Sequence, residues 1–174
     1  MDLSRRRFFG SRSRRIAPFQ PPWSLPEGEF VDVCSRCDEC VERCPTGLLR
    51  RGDDGFPVAD FAAAACTFCQ ECAAACGTRA ISPEVVQPPW PFTVRIDDAC
   101  LARQRVECRV CGEACAASDS RAIRFIPVVG GVSLPHIDDA ACTACGACLS
   151  PCPVGAIARV PLDGRSSAFS VEPS

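Results

Sequence analysis

Sixteen cysteines in a chain of 174 residues fall into four quartets, so any fold this chain adopts is built around what those thiols bind. Three quartets share one step: Cys34-x2-Cys37-x2-Cys40-x3-Cys44, Cys66-x2-Cys69-x2-Cys72-x3-Cys76 and Cys142-x2-Cys145-x2-Cys148-x3-Cys152. The remaining quartet, Cys100-x7-Cys108-x2-Cys111-x3-Cys115, keeps the last three positions and stretches the first gap. No cysteine is left over.

Three chemistries use thiols in such numbers. Disulfide frameworks belong to short secreted chains and do not require a repeated step. Structural zinc takes two separated Cys-x2-Cys hooks, whereas each run here carries three or four thiols together. The repeated step is the bacterial ferredoxin spacing for a cubane iron–sulfur cluster, in which the tight run supplies three thiolates and the last cysteine crosses to the neighbouring cluster. The arithmetic then closes on four [4Fe-4S] clusters, the stretched quartet being the least regular and Cys100 its least secure ligand.

A helix starting near Cys40 would carry Cys44 one turn further along the same face, away from its own loop. The expected ligand sets are therefore reciprocal: Cys34, Cys37, Cys40 and Cys76; Cys66, Cys69, Cys72 and Cys44; Cys100, Cys108, Cys111 and Cys152; Cys142, Cys145, Cys148 and Cys115. All sixteen are candidate metal ligands, and no residue is singled out for catalysis.

By length the chain could be one domain, but the cysteine layout divides it into two small units, residues 20–86 and 87–160, between a basic arm at 1–19 and a loose polar tail at 161–174. Units this small bury little apolar surface and need staples. Clusters would serve as those staples, so metal binding and folding should be coupled. Gln20-Pro21-Pro22-Trp23 opens the first unit and Gln87-Pro88-Pro89-Trp90 the second, and Gly55 and Gly131 stand equally far before Cys66 and Cys142. These correspondences predict an α+β fold made of duplicated two-cluster ferredoxin-like units.

Within each unit the pattern reads as strand, cysteine loop, short helix, hairpin, second cysteine loop, short helix and strand. Residues 94–96, 124–126 and 156–158 are the strand candidates, residues 71–75 and 113–117 the helix candidates. Hairpin turns are expected at residues 52–55 and 130–131. Trp23 and Trp90 are expected to be packing anchors, and the proline-rich connector at 82–91 to be stiff.

All nineteen basic residues are arginine and the net charge is −2. Six arginines stand within residues 1–15, which leaves an acidic body. An acidic body either steers basic docking partners or serves solubility alone; the arm is either a solvated tail or a contact for an acidic partner or an anionic surface. No nucleic-acid partner is expected. No apolar run approaches the ~20 residues needed to span a membrane. Ser4-Arg5-Arg6-Arg7-Phe8-Phe9 is similar to a twin-arginine export start, but the apolar segment that should follow is missing, so residence in the cytoplasm is expected. The one histidine, His136, falls in a strand beside Pro135, and no flavin or nicotinamide glycine fingerprint is present, so an autonomous enzyme is not expected.

Pro21-Pro22-Trp23-Ser24 after the arginine-rich start, Phe92-Thr93, Asp98-Ala99-Cys100-Leu101-Ala102 and Val106-Glu107-Cys108-Arg109 resemble the NapF family of ferredoxin-type proteins over about residues 4–158. The stretched third quartet is similar in that family, and its cysteines match all sixteen here one by one. The chain departs from the pattern at Gly77 and Ala116, where proline follows Cys44 and Cys152. The resemblance implies a cytoplasmic accessory protein that binds NapA, the molybdenum catalytic subunit of periplasmic nitrate reductase, before export and assists maturation of that subunit's own cluster. A polyferredoxin that carries electrons, or a wire subunit of a respiratory oxidoreductase, is the alternative.

Overall fold

The computed structural model describes residues 19–162. The basic arm through residue 18, with its twin-arginine-like start, and the tail from residue 163 lie outside the described residues. Ten short elements run in the order α1 (Glu27–Val33), α2 (Glu39–Glu42), β1 (Leu49–Arg51), β2 (Pro57–Ala59), α3 (Glu71–Ala74), β3 (Phe92–Ile96), α4 (Val110–Ala117), β4 (Ile123–Ile126), β5 (Leu134–Ile137) and β6 (Ile157–Pro161). The mixed helix and strand content agrees with the α+β reading.

The strands form three separate two-stranded antiparallel ribbons, β1–β2, β3–β6 and β4–β5. The turn at Gly52–Gly55 registers Leu49 opposite Ala59, and the Gly130–Gly131 turn lies in the loop joining β4 to β5, which registers Ile123 opposite Ile137. β3 and β6 join the start and end of the second half, Phe92 opposite Pro161 and Ile96 opposite Ile157. Strand β6 thus extends into the first residue of the segment assigned to the tail.

The first half differs. Its corresponding ends meet only in an isolated bridge between Ser24 and Ile81, and α1 occupies the space before Cys34, where the sequence pattern predicts a strand. Pro26 explains the change. It lacks the N–H a ladder needs and stands immediately before the first helical turn, where that loss is harmless. Glu27 and Glu29 sit in that turn, where the helix dipole favours negative charge, and Phe30 is buried beneath it.

Aspartates lead the chain into three of the cysteine loops. Asp60 Oδ1 accepts from the Ala62 N–H at 3.1 Å, Asp97 Oδ1 from Ala99 at 2.9 Å and Asp138 Oδ1 from Ala140 at 3.1 Å. Such side-chain turns reverse the chain where a strand or bridge must give way to a loop. Helix α4 lies close against β4 because Gly112 has no side chain: a Cβ there would stand 2.4 Å from the Phe125 ring.

The core does not stop at the boundary between the halves. Trp23, Phe30, Leu48, Leu49 and Phe61 from the first and Trp90, Phe92, Val94 and Ile123 from the second belong to one buried cluster. Both tryptophans are packing anchors, 4% and 1% exposed. The seam is an aromatic box. Phe61 meets Trp90 edge-on at 5.0 Å and Phe92 at 5.6 Å, Phe19 meets Phe92 at 5.5 Å, and the Arg159 guanidinium stands 5.0 to 5.7 Å from the Phe19, Phe61 and Phe92 rings. Backbone hydrogen bonds close it: Trp23 N–H to Pro89 C=O and Cys66 N–H to Cys145 C=O, each at 2.9 Å.

Candidate metal centres

The cysteine loops share a backbone shape that their spacing dictates. In each regular run the residues flanking the middle cysteine are left-handed: Arg36 and Asp38, Phe68 and Gln70, Ala144 and Gly146. Five of these six are not glycine, and such conformations persist only where the surroundings hold them. Residues alternating between the two hands turn successive backbone N–H groups into one concavity, which suits an anion. After Cys44, Cys76 and Cys152 the chain makes one and the same turn, with the N–H of Gly47, Arg79 and Gly155 donating back to the cysteine carbonyl at 3.1 Å. Gly77 in place of proline leaves that turn intact.

These loops bring the thiols together around cavities. Cys34, Cys37, Cys40 and Cys76 line one (site 1). Cys44, Cys66, Cys69 and Cys72 line another (site 2). Cys100, Cys108, Cys111 and Cys152 line a third (site 3). The last four lie close enough to act on one another: the Cys148 thiol is pushed up to about 12 by burial, then by Cys145, Cys142 and Cys115, and last by Cys111 of site 3 (site 4). Each site takes three thiols from one run and the fourth from the partner run. The helices place them: α2 carries Cys40 and leads to Cys44, α3 carries Cys72 and leads to Cys76, and α4 carries Cys111 and Cys115 one turn apart.

The electrostatics follow from crowding thiols in a protein interior. Burial first, then the neighbouring Cys76, Cys34 and Cys37, pushes Cys40 up to about 12. Cys72 reaches about 12 by burial, with Cys66 and then Cys40 next. Cys111 is raised to about 11 by burial and by Cys100. Cys44 runs the other way: burial raises it, but the backbone N–H groups of Leu49, Thr46 and Leu48 and the Thr46 hydroxyl outweigh that and lower it. Backbone donors also reach sulfur at Cys66, from Phe68 at 3.4 Å, and at Cys152, from Ala156 at 3.3 Å.

This arrangement fits a polynuclear centre. Among the described residues no three ligand-type side chains converge closely enough to grip a single ion, as zinc with its ~2.3 Å bonds to sulfur would demand. Four thiols drawn from two runs gather at each site instead, and in sites 1, 2 and 4 the left-handed residues around the middle cysteine give the kind of backbone that turns N–H groups toward an anion such as a thiolate-bound iron–sulfur core.

Comparison with known proteins agrees. The 4Fe-4S dicluster domain family matches residues 33–81, and the 4Fe-4S binding domain family matches residues 135–158. The ferredoxin-type protein NapF of Escherichia coli K12 is 40% identical over 158 residues, covering 90% of this chain and 94% of its own. The chain belongs to the NapF family of ferredoxin-type proteins. The family member of Haemophilus influenzae is also 40% identical, over 84% of this chain and 81% of its own. A further relative, the methylamine utilization ferredoxin-type protein MauM of Methylobacillus flagellatus, is 30% identical over 83% of this chain and 70% of its own. The chain is thus an iron–sulfur protein with 4Fe-4S clusters as its cofactor. The third quartet lies outside both matched domains, as its stretched spacing and its different backbone would suggest.

Two features of the sites carry no sequence signal. The left-handed flanking residues are chemically diverse, so composition does not mark them. Trp90, read as packing alone, lies near the sulfur of Cys66: burial raises that thiol to about 11, while the Phe68 N–H and the Trp90 indole N–H act to lower it. No helix among the described residues is long and apolar enough to cross a membrane.

Proposed function

We propose that the chain is a duplicated two-cluster ferredoxin holding four [4Fe-4S] clusters, one in each of sites 1 to 4, and that it serves in the cytoplasm as an accessory to the catalytic subunit NapA of periplasmic nitrate reductase, assisting its maturation before export. The ligand sets are those that line the sites: Cys34, Cys37, Cys40 and Cys76; Cys44, Cys66, Cys69 and Cys72; Cys100, Cys108, Cys111 and Cys152; Cys115, Cys142, Cys145 and Cys148. Such clusters, when bound, supply one-electron transfer at potentials set by burial, charge and hydrogen bonds to sulfur. The chain's own residues hold them and present backbone donors.

The observation that carries this reading is the similarity to NapF proteins over nine-tenths of the chain. The test is an anaerobic pull-down of the tagged full chain from cytoplasm, with identification of the captured protein and iron and sulfide analysis of both. Capture of the NapA precursor, and one iron per cysteine in the bait, is the expected result. A bait with iron but no precursor favours the second reading, a relay subunit between a reductase and a terminal enzyme. That reading is supported by the seam hydrogen bond from Cys66 to Cys145, which joins the second cysteine run to the fourth across the halves. Deleting the gene separates the two: maturation predicts exported NapA poor in cluster, a relay predicts complete NapA with altered electron flow.

A further inference from the structure

The β4–β5 ribbon ends in solvent. Val128 and Gly131 close a tight turn, the Gly131 N–H donating to the Val128 carbonyl at 3.1 Å, with Gly130 left-handed at φ +70° as the third position of a type II turn requires. Val129 therefore stands at the apex, fully exposed. Ile126, Val128 and Leu134 are exposed behind it, and no other element or loop among the described residues leaves as many large apolar side chains in solvent. The fold does not demand this. In the corresponding ribbon of the first half, β1–β2, the turn carries exposed Asp53 and Asp54, while Leu49, Phe56 and Ala59 are buried.

Charge is ordered along the same ribbon. The register places Arg124 opposite His136 and Ile126 opposite Leu134, and all four are exposed, so they share the outward face. The apolar pair stands two residues, about 7 Å, nearer the tip than the Arg124 pair. Arg121 is exposed just before β4, and residues 120–137 contain no carboxylate. Around the base, Glu107 is paired with Arg109, Asp139 is paired with Arg95, and Asp138 accepts the Ala140 N–H. Arg109 ties the ribbon to α4, donating to Ser133 Oγ at 3.2 Å. The finger is thus an apolar tip above a cationic collar.

We propose that this tip docks the chain on an anionic lipid bilayer, with Ile126, Val128, Val129 and Leu134 entering the acyl boundary and Arg121 and Arg124 level with the phosphate headgroups. The inference goes beyond the accessory role proposed above and does not depend on what the thiols bind. Apolar faces of surface-bound elements sit about 5–10 Å into that boundary, which matches the step from collar to tip, and cations beside them draw anionic lipid. Composition argues against a protein cleft as the occupant. Protein interfaces draw their energy from Trp, Tyr and Arg, and valine and leucine serve poorly there, whereas a bilayer takes any apolar area. A second copy of the ribbon would set arginine against arginine.

The test is co-sedimentation of the anaerobically purified full chain with vesicles of phosphatidylcholine alone and with vesicles containing phosphatidylglycerol as well. The parent should bind the mixed vesicles, less as salt rises, and leave the neutral ones alone. Val128→Asp with Val129→Asp should lower binding by about tenfold or more, and Arg124→Glu by about fivefold or more. Val85→Asp, at an exposed valine in another segment, should leave it unchanged. Far-ultraviolet circular dichroism and iron content equal to the parent's show that each variant is folded; if the double variant is not, Val129→Asp alone tests the apex. A photoreactive benzoylphenylalanine at position 129 gives a second readout in growing cells, where it should bond to lipid. Binding that ignores the tip variants belongs to basic residues elsewhere and overturns the proposal. Equal binding to both vesicles, binding to neither, or a crosslink from position 129 to protein instead of lipid, whether a second copy or another chain, overturns it too.

Discussion

Gly146→Ala should separate the two halves' packing from everything else the cysteine loops do. Gly146 has φ +78°, and a Cβ there would stand 2.2 Å from Phe61 Cδ1 and 2.6 Å from Cε1. Phe61 has little room to yield, being 1% exposed and boxed by Trp90 and Phe92. Two costs add: about 1–2 kcal/mol for an L-residue in the left-handed region and about 1–3 kcal/mol for overpacking a filled core. Together they reach roughly 2–5 kcal/mol, a large share of the ~5–15 kcal/mol that holds a typical domain folded. At about 2–4 °C per kcal/mol for a chain of this size, melting should fall by roughly 4–20 °C. Gly155 supplies the control, since it has φ +60° and no atom within 4 Å of an added Cβ. Gly155→Ala therefore carries only the backbone cost, roughly 2–8 °C. Thermal melts of the cluster-loaded proteins, followed by far-ultraviolet circular dichroism and by cluster colour, measure both. Adding Phe61→Leu should recover part of the Gly146→Ala loss and none of the Gly155→Ala loss. If the two glycine variants melt together, Phe61 does not pack on the Cys145 loop, and the seam argued from it is wrong.

Exchange of the fourth cysteine predicts that Cys76→Ala and Cys34→Ala leave the same residual spectrum, and that Cys44→Ala matches Cys66→Ala instead; iron analysis with electron paramagnetic resonance would expose the opposite grouping. Asp139 is held below the usual carboxylate range, chiefly by hydrogen bonds from the Arg95 guanidinium at 2.6 and 3.0 Å, with burial opposing and Thr93 assisting. Its contribution is complete above the unfolded carboxylate range and lost as pH falls through its lowered folded value, so Asp139→Asn should destabilise at neutral pH and converge with the parent in acid. Both partners of that pair are more than a third exposed, which limits the difference in denaturant melts to under about 1 kcal/mol. Stripping iron with a chelator under anaerobic, reducing conditions should abolish cooperative melting, because buried thiols crowded together lose the charge that compensates them; a well-dispersed apo spectrum would contradict this.

What could be read from the sequence divides by the range of the interactions. The strands around residues 94–96, 124–126 and 156–158, the two hairpin turns and the helices at 71–74 and 110–117 rest on local patterns, and all form with shifts of one to three residues. Helix α1 was not legible, because its one buried side chain, Phe30, gives no periodicity and Pro26 reads equally as a break. The seam was not legible either. Phe19, Phe61, Trp90 and Phe92 come from segments far apart in the chain, and nothing in their spacing announces that they meet. The reciprocal thiol grouping is what the spacing leads one to expect, because a fixed x3 step carries the last cysteine away from its own loop, whatever lies beyond it.

The third quartet shows what that step alone can and cannot do. Between Cys100 and Cys108 the inserted residues loop out and return, with Arg105 left-handed and the N–H groups of Arg105 and Val106 donating back to Ala102 and Leu101 at 3.1 and 2.9 Å. The insertion therefore closes on itself and still delivers Cys100 to site 3, alongside Cys108 and Cys111. The cost falls on the backbone around the middle cysteine. Arg109 after Cys108 has φ −127° and leads directly into α4, so the left-handed pair that turns N–H groups inward in the other three runs is absent. Thiol placement survives an insertion because it depends on where the loop ends; the inward-facing backbone does not, because it depends on how each residue between the cysteines is turned.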